Sequence, residues 1–568
     1  MTNQKFINKC PKQLKSRFFY LLLFCYLFIF AASSYALDAN KIDATLDSDE
    51  GKIIGENSIT YTNQSTKTLD KLYFRLDLNY GFFTKIAEII TGNGSSVPGE
   101  FYKYEFLDKK MTDNTLYQVA LPDKLASGEN TNLTLKFNAS GLYKEGEILY
   151  LIDSFEETGT GCWYPRIMPF KKDEWQPKEY ETSTYNVRLN INTDETLITS
   201  AKLLEVNKTD SVTRQYIFEP VSTRGFDIVC GKNLMFEQIT VGDLILKVYY
   251  RPQNTKWGKK ISEIAKDIIL FYKKKLGFYT QTHLSIVPGN QKNRGGIVSN
   301  NLIVVHDTLN NFNSQQEAEN FLRGFLSYAI AKQYFGVYIG DSNNYPKWLS
   351  TGLSLYFSRL YTDSKGLNRD RLSRLGNAYI DAVNSNFDTT VLQPIDKLNH
   401  TGLDWQKIIS EGKSYCIMNM LEFIVGRGDM EKIARQLCQN YTHKIVSPSE
   451  FQLICEDVTH KKLDWFFDQW LNTSKKLDYA LKDVKVTRDN KKYQLSLKIS
   501  QIGNAIMPVP VSVTLKNGER IFQIVESKTK ETEATFQVPD DVARVSLDPG
   551  NILPDVDRTN NIFNVSDK

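Results

Sequence analysis

The spacing of apolar residues divides the chain into three parts. In the first part, segments such as TNLTLKF (131–137) and LILKVYY (244–250) place an apolar residue at every second position. This alternation is typical of β-strands that bury one face, and Gly, Asn and Asp residues separate the segments as turns would. The pattern from residue 37 to about 252 therefore predicts a large, mostly antiparallel β-domain.

A helical spacing replaces this alternation near residue 259. Ile261, Ile264, Ala265 and Ile268 fall on one face of a helix, and Gly277 stands where a left-handed residue ends many helices. The same spacing predicts further helices around 315–335, 348–361, 414–426 and 429–440.

A capping box marks the start of another helix. Ser447 is the cap, Pro448 lies in the first turn, and Glu450 follows the cap by three residues. Together with the helices above, it makes the block from 255 to 475 mainly α-helical.

Period-two alternation returns in the last ninety residues. YQLSLKI (493–499) and VPVSVTL (509–515) each predict a strand, and Asn517-Gly518 supplies a hairpin turn after the second. A small β-sandwich is expected here. The chain is thus predicted to be an α+β multidomain protein with domains at 37–254, 255–475 and 476–568.

The first 36 residues have the features of a signal peptide. Five basic residues precede a 15-residue apolar core (18–32), and Ser34 and Ala36 stand where a signal peptidase reads small residues. The core is short for a membrane span of about 20 residues. We expect an exported protein, periplasmic or secreted. The alternative is a protein anchored by an uncleaved N-terminal segment, the one case in which membrane contact is expected.

The charge of the chain does not indicate a basic, nucleic-acid-binding surface. The full chain carries 70 basic and 66 acidic residues, but the N-terminal segment holds five basic and no acidic ones. The remainder has 65 basic against 66 acidic residues, so no basic surface is indicated. Of the seven cysteines, the five outside that segment lack CxxC spacing, and one or two disulfides are possible.

Several segments in this order resemble a known family. They are GKIIGENSITYTNQSTKTLDKLYFRL (51–76), LGFYTQTHLSIVPG (276–289), RGGIVSNNLIVV (294–305), QYFG (333–336), DWFFDQWL (464–471) and SLDPGNILPDVDRTNN (546–561). Together they resemble the membrane alanine aminopeptidase (aminopeptidase N) family of zinc metallopeptidases, which includes the leukotriene-A-type hydrolases. The resemblance implies an N-terminal antiparallel β-domain, a thermolysin-like, mainly α middle domain and a C-terminal β-sandwich.

The resemblance also implies where an active site would lie. The family carries H-E-x-x-H on one helix, and the N-E-G motif supplies a third zinc ligand nineteen residues after the second His. Aligning QYFG with the family's Q-W-F-G places the first His, the Glu and the second His on Tyr328, Ala329 and Lys332. The third ligand falls on Thr351, and the tyrosine that stabilises the oxyanion falls on Glu411. The positions are kept while their chemical groups are replaced.

The family's G-[AG]-M-E-N motif, which binds the substrate's amino terminus, is altered in the same way. It corresponds to Gly295, Gly296, Val298 and Ser299, so that Val298 stands in place of the Glu and Ser299 in place of the Asn. Val298 cannot hold an ammonium group. These four residues are the substrate-binding candidates.

The replaced groups leave no ordinary peptidase chemistry. A catalytic zinc needs three N, O or S ligands and an open position for water, and Tyr328, Lys332 and Thr351 do not supply them. Ala329 cannot act as general base for a metal-bound water. We therefore expect no zinc and no other cofactor. Glu411 could pair with Lys332 and replace the metal by a salt bridge, or Lys332 could extend to solvent.

No other catalytic motif takes the place of the lost one. The chain has no G-x-S-x-G elbow and no phosphate-binding loop. No two histidines lie at metal-ligand spacing among His283, His306, His400, His443 and His460. Cys416 opens an apolar run and is expected to be a packed thiol.

Three functional hypotheses follow. The first is a pseudopeptidase without catalysis that binds a peptide or protein. The second is an active peptidase or other hydrolase with a rebuilt site, for example around Glu411 and Asp307. The third is a scaffold protein of the envelope that uses its β-domains as contact surfaces.

Overall fold

The computed structural model describes most of the chain beyond the N-terminal segment. The described residues are 38–565 except 81–82, 107–108, 143, 146, 153–161, 172, 177–181, 280, 290–295, 307, 343, 368–369, 400, 403, 490–491 and 528. The predicted signal peptide (1–36), Gly295 and Asp307 lie outside them.

The molecule is a multidomain α+β protein, as the apolar spacing predicts. Its N-terminal part is built from strands: β1 (Ala39–Asp47), β2 (Lys52–Thr62), β3 (Leu69–Arg75), β4 (Phe83–Thr91), β5 (Gly99–Phe106), β6 (Lys109–Leu125), β7 (Asn130–Ser140), β8 (Lys144–Glu145), β9 (Ile148–Leu151), β10 (Arg166–Ile167), β11 (Phe170–Lys171), β12 (Glu174–Trp175), β13 (Ser183–Asn192), β14 (Glu195–Thr199), β15 (Leu203–Lys208), β16 (Thr213–Phe218), β17 (Val221–Thr223) and β18 (Ile228–Lys232).

The largest N-terminal sheet has the order β15-β16-β13-β1-β2-β7-β4, with β17 paired to β13. Its pairings are antiparallel apart from β1 with β13. The predicted alternation in β7 is confirmed, since Leu133, Leu135 and Phe137 are all buried. The smaller sheets have the orders β10-β3-β6-β5, β14-β18-β9-β8 and β11-β12.

A mixed sheet joins the N-terminal part to the helical part. Its strands are β19 (Met235–Val241), β20 (Leu244–Tyr250), β21 (His283–Gly289), β22 (Ile297–Ser299) and β23 (Leu302–His306), in the order β19-β20-β21-β23-β22. The contacts of β21 with β20 and with β23 are parallel. The sheet therefore takes strands from both sides of residue 254, and β22 forms one of its edges.

The helices of the described residues follow this sheet. They are α1 (Thr255–Leu276), α2 (Gln315–Lys332), α3 (Trp348–Ser364), α4 (Asp370–Asn384), α5 (Ile395–Leu398), α6 (Ser414–Val425), α7 (Arg427–Asn440), α8 (Pro448–Thr459) and α9 (Asp464–Leu471), with π-helical turns at Gln333–Tyr338 and Gln406–Lys413 and 3-10 turns at Asp77–Tyr80, Pro252–Asn254, Leu309–Asn311 and Arg558–Asn561.

Two predicted helix boundaries are confirmed, the end of α1 and the start of α8. Gly277 has φ 91° and donates its N–H to the carbonyl of Lys273, which closes α1 with a left-handed cap. Ser447 and Glu450 form the reciprocal capping box of α8. None of the helices in the described part of the chain is long and apolar enough to cross a membrane.

The C-terminal strands form two sheets. The strands are β24 (Tyr479–Asp489), β25 (Lys492–Gln501), β26 (Val509–Leu515), β27 (Arg520–Val525), β28 (Glu531–Val538), β29 (Val542–Leu547) and β30 (Ile562–Asn564). The sheet orders are β24-β25-β28 and β27-β26-β29-β30. Gly518, with φ 90°, lies in the predicted turn between β26 and β27.

One apolar core runs from the helices into these C-terminal sheets. It includes Trp348 and Phe451 of the helical part as well as Leu497 and Val513 of the strands. The C-terminal strands therefore pack directly on the helical part. The N-terminal sheets enclose separate apolar clusters.

Candidate functional site

The predicted metal-ligand positions meet at the side chain of Lys332, the last residue of α2. Lys332 is buried with 4% of its surface exposed, and its Nζ donates to Oγ1 of Thr351 over 3.3 Å. The same Nζ lies 5.7 Å from the centroid of the Tyr328 ring. The ammonium group of Lys332 thus lies between the hydroxyl of Thr351 and the ring of Tyr328.

A change of helix type after Lys332 shapes this point. The chain continues as the π-helical turn Gln333–Tyr338. At Gly336 a β-carbon would lie 3.1 Å from Cδ of Lys332, closer than ordinary van der Waals contact. The glycine therefore leaves the space along which the lysine side chain extends.

Thr351 is held by the capped first turn of α3. Oδ2 of Asp341 accepts hydrogen bonds from the backbone N–H groups of Leu349 (3.1 Å) and Ser350 (3.2 Å). A carboxylate at this place satisfies N–H groups that lack a partner within the helix. Oγ of Ser350 is buried and has no hydrogen-bond partner among the described residues.

Two of the substrate-binding candidates, Val298 and Ser299, lie on the edge strand β22, and Gly296 directly precedes this strand. Val298 is 6% exposed and Ser299 fully buried, and Gly296 precedes the strand with φ 117°. A β-carbon at Gly296 would lie 2.0 Å from the carbonyl oxygen of Val304 and 2.6 Å from Cζ of Phe325. Only glycine fits between β23 and α2 here.

Gln333 ties this edge strand to the end of α2. Its Nε2 donates to the carbonyl of Ser299 over 2.9 Å, and its Oε1 accepts from the backbone N–H of Asn301 over 3.2 Å. Because Gln333 directly follows Lys332, these bonds fix the strand relative to the lysine. The amide is fully buried.

A buried carboxylate lies on the other side of Ser299. Oδ2 of Asp227 accepts from Oγ of Ser200 over 2.6 Å, and Asp227 is fully buried. Burial raises the pKa of Asp227 to about 7. Hydrogen bonds from Ser200 and Ser299 and the charge of Arg166 favour the ionised form and offset part of this rise. The position titrates near neutral pH.

Arg224 joins the N-terminal part to the π-helical turn. Its Nη1 donates to the carbonyl of Gly336 over 2.9 Å and its Nη2 to the carbonyl of Lys444 over 3.3 Å. Burial lowers the pKa of Arg224 to about 10, opposed by the charge of Asp341. A β-carbon at Gly340 would lie 2.1 Å from Nη1 of Arg224, so this glycine makes room for the guanidinium.

Of the other predicted site residues, two lie in described elements of the helical part. Ala329 is fully buried and belongs to the apolar core. Glu411 is half-buried in the π-helical turn Gln406–Lys413. Its pairing with Lys332 stays a prediction. Gly295 lies outside the described residues.

The residues at the ligand positions do not fit a zinc ion. The ammonium of Lys332 has no lone pair to give, and it takes up Oγ1 of Thr351 as a hydrogen-bond acceptor. A cation at this point would repel a second one. In the described part of the chain, no three or more His, Cys, Asp or Glu residues are grouped so that they could hold a metal.

The five cysteines outside the first 36 residues are buried thiols. None of the five forms a disulfide among the described residues. Burial raises the pKa of Cys416 to about 12, which agrees with the prediction of a packed thiol. Burial also raises the pKa of Cys438, and raises those of Cys162, Cys230 and Cys455 well above their ordinary value.

Three neighbours of the candidate site were not predicted. Arg224 and Asp227 stand three residues apart in STRGFDIVC (222–230), within the predicted β-domain. Charged residues directly before the apolar run IVC are the signal that could have marked them, because buried charges need specific partners. Gln333 lay within the quoted QYFG segment, but its bonds to β22 depend on contacts between distant parts of the chain.

Comparison with known proteins adds no assignment: no protein-family model matches the chain, and no curated protein matches it significantly.

Proposed function

We propose that this chain is an exported, aminopeptidase-N-like protein whose thermolysin-like middle domain has a degenerate active site. It binds a peptide or protein and does not hydrolyse it. The observation that carries the proposal is the hydrogen bond from Nζ of Lys332 to Oγ1 of Thr351, 3.3 Å long and buried. The two residues occupy positions that the resemblance gives to metal ligands.

An ammonium group at this point supports binding over catalysis. Like a metal ion it presents positive charge, so it attracts the carbonyl or carboxylate oxygens of a peptide. Unlike zinc it does not lower the pKa of a bound water to supply hydroxide. Ala329, in the core at the general-base position, provides no proton acceptor.

The edge strand β22 supports a peptide-like ligand. It is hydrogen-bonded to β23 on one side, and on its other side no strand pairs with it in the described part of the chain. An extended peptide can add to such an edge through its backbone. Val298 in place of a glutamate favours a ligand that does not present a free ammonium group there.

The first test is metal content together with activity. The chain that begins at Leu37 is purified, its zinc is measured by mass spectrometry, and hydrolysis of aminoacyl-arylamides is followed with and without a chelator. We expect far less than one zinc per chain and no chelator-sensitive turnover. One zinc per chain with turnover that a chelator abolishes would establish the alternative, an active peptidase with a rebuilt site.

The second test is binding. Crosslinking in the native envelope, followed by mass spectrometry, is expected to join peptide-like material to residues near β22 and α2. A large stable complex crosslinked only through the N-terminal and C-terminal sheets would favour the scaffold alternative. N-terminal sequencing of the same sample tests export, with a mature start at Leu37 expected.

A further inference from the structure

The outer face of one C-terminal sheet contains a second candidate site, away from Lys332. In the sheet β27-β26-β29-β30, the odd-numbered residues of β26 from Val509 to Leu515 point into the core and are buried. The even-numbered residues therefore point to the other face. Ser512 and Thr514 are the polar residues of this outer row.

Two arginines flank Thr514 on this face. Arg520 of β27 and Arg544 of β29 are its direct neighbours on the two adjoining strands. Since neighbouring strands lie about 4.8 Å apart, the two backbones are about 10 Å from each other. Both arginines are exposed, and neither makes an ion pair in the described part of the chain.

A cavity of about 360 Å³ lies on this face and has a third arginine in its wall. Nη2 of Arg558 donates to the carbonyl of Leu553 over 3.0 Å, which fixes the guanidinium. Its Nε is buried and has no hydrogen-bond partner among the described residues. The volume is within the range of small-molecule sites, about 300–1,000 Å³.

The carboxylate in the wall offsets only part of the positive charge of these arginines, since it interacts electrostatically with Arg558. Among the described lining residues the only carboxylate is that of Asp548, which accepts the backbone N–H groups of Ile552 (2.9 Å) and Leu553 (2.8 Å). Both of its oxygens are thus engaged in the turn that follows β29. Three guanidinium groups face one internally bonded carboxylate, so the cavity keeps an excess of positive charge.

The rest of the wall adds hydroxyl groups and an apolar side. Ser512 and Ser546 are direct neighbours across β26 and β29, and they lie next to the arginine row. Pro549 and Ile562 supply the apolar part of the wall, and Ile562 is 45% exposed. A ligand in this cavity would meet cationic, hydroxylic and apolar surfaces together.

We infer that this cavity binds a ligand that carries an oxyanion group, such as a carboxylate, sulfate or phosphate, next to an apolar part. Guanidinium groups bind such oxyanions through paired N–H donors, and serine and threonine hydroxyls add further donors. The apolar part of the ligand lies against Pro549 and Ile562. The site is independent of the Lys332 centre and of the function proposed for it.

Calorimetric titration of the chain from Leu37 onwards tests this site. The probes are sodium sulfate, phosphate, benzoate and phenyl phosphate, at constant ionic strength with chloride as the reference salt. At least one oxyanion is expected to bind saturably at one site per chain, and the ranking of the probes identifies which oxyanion. Absence of saturable binding for all four probes would overturn the assignment.

Variants locate the site. R544Q and R520Q are each expected to weaken the binding by on the order of tenfold, because each removes a charged hydrogen-bond donor. Both side chains are exposed, so the variants should fold, which circular dichroism checks. R214Q, which replaces an exposed arginine of β16, is the matched control and should bind as the unchanged chain does. Equal affinity in R544Q, R520Q and the unchanged chain would overturn the assignment.

The apolar half has its own test. Phenyl phosphate is expected to bind more tightly than phosphate, and I562S is expected to remove that advantage while phosphate affinity stays the same. Equal affinities for the two probes in the unchanged chain would overturn the apolar part of the assignment.

Discussion

The ammonium group of Lys332 donates a hydrogen bond to the hydroxyl of Thr351, nineteen residues further along the chain. Both side chains are 4% exposed, so the bond forms away from solvent. The lysine ends one helix and the threonine lies in the first turn of the next. This polar contact therefore joins α2 to α3 at the candidate site.

Removal of the threonine hydroxyl tests this contact. In T351V the ammonium loses an acceptor while the volume of the side chain is kept, and we expect a loss of about 2 kcal/mol in the free energy of unfolding. Urea unfolding measures the change. T351S keeps the hydroxyl and should retain most of the stability; a larger loss in T351S than in T351V would mean that packing of the methyl group matters instead.

A variant that restores the family's zinc ligands tests whether these positions correspond to a metal site. The variant Y328H/A329E/K332H/T351E carries the groups that the resemblance implies, and we expect it to bind one zinc per chain, measured by mass spectrometry after dialysis. The triple variant that keeps Lys332 is the control and should bind none, because the ammonium repels the metal. A folded quadruple variant without zinc would contradict the assignment of these positions.

The buried carboxyl of Asp227 predicts a dependence of stability on pH. Its pKa is about 7 in the folded chain and near 3.8 when exposed, so the folded chain holds an extra proton between these values. The free energy of unfolding should therefore fall as the pH rises from about 4 to 7. Between pH 5 and 8 this contribution amounts to roughly 3 kcal/mol, at 1.36 kcal/mol per pKa unit.

D227N should remove this contribution, because an amide does not titrate. Urea midpoints of the unchanged chain, of D227N and of D243N, an exposed control, are compared at pH 5 and pH 8. The expected result is a flatter profile for D227N alone. Three parallel profiles would show that other groups govern the pH dependence.

A buried ion pair near the candidate site gives a further prediction. Nζ of Lys413 lies 3.0 Å from Oδ1 of Asp388 and donates to the carbonyl of Thr389 over 2.6 Å. K413M leaves the carboxylate of Asp388 buried without its counter-ion, at an expected cost of about 3–5 kcal/mol in urea unfolding. K413M/D388N should recover part of this loss. K407M, on the exposed side of the same π-helical turn, should change little.

Much of the fold follows from local spacing. The period of Ile261, Ile264, Ala265 and Ile268 predicts the buried face of α1, and all four residues are buried. Gly277 ends that helix as its lack of a side chain allows. These features depend on neighbours a few residues away, which a sequence pattern records directly.

Features built from distant segments were not predicted. Nothing local indicates that α2 continues as a π-helical turn, in which the carbonyl of Gly336 accepts a hydrogen bond from Arg224 of the distant N-terminal part. The helix α4 was also missed, as was the position of Asp227 beside Ser299. For the site, the resemblance supplied the candidate positions, while only the fold brings Lys332 and Thr351 into contact.

The mixed sheet around residue 254 has a consequence for dissection of the chain. A fragment that starts at 255 would lack β19 and β20, and the buried Leu284 and Ile286 of β21 would lose their neighbours Leu246 and Val248. Such a fragment should aggregate through its exposed strand edge. Limited proteolysis should not cleave the chain near residue 254. A recombinant version of the helical part needs to begin before Met235.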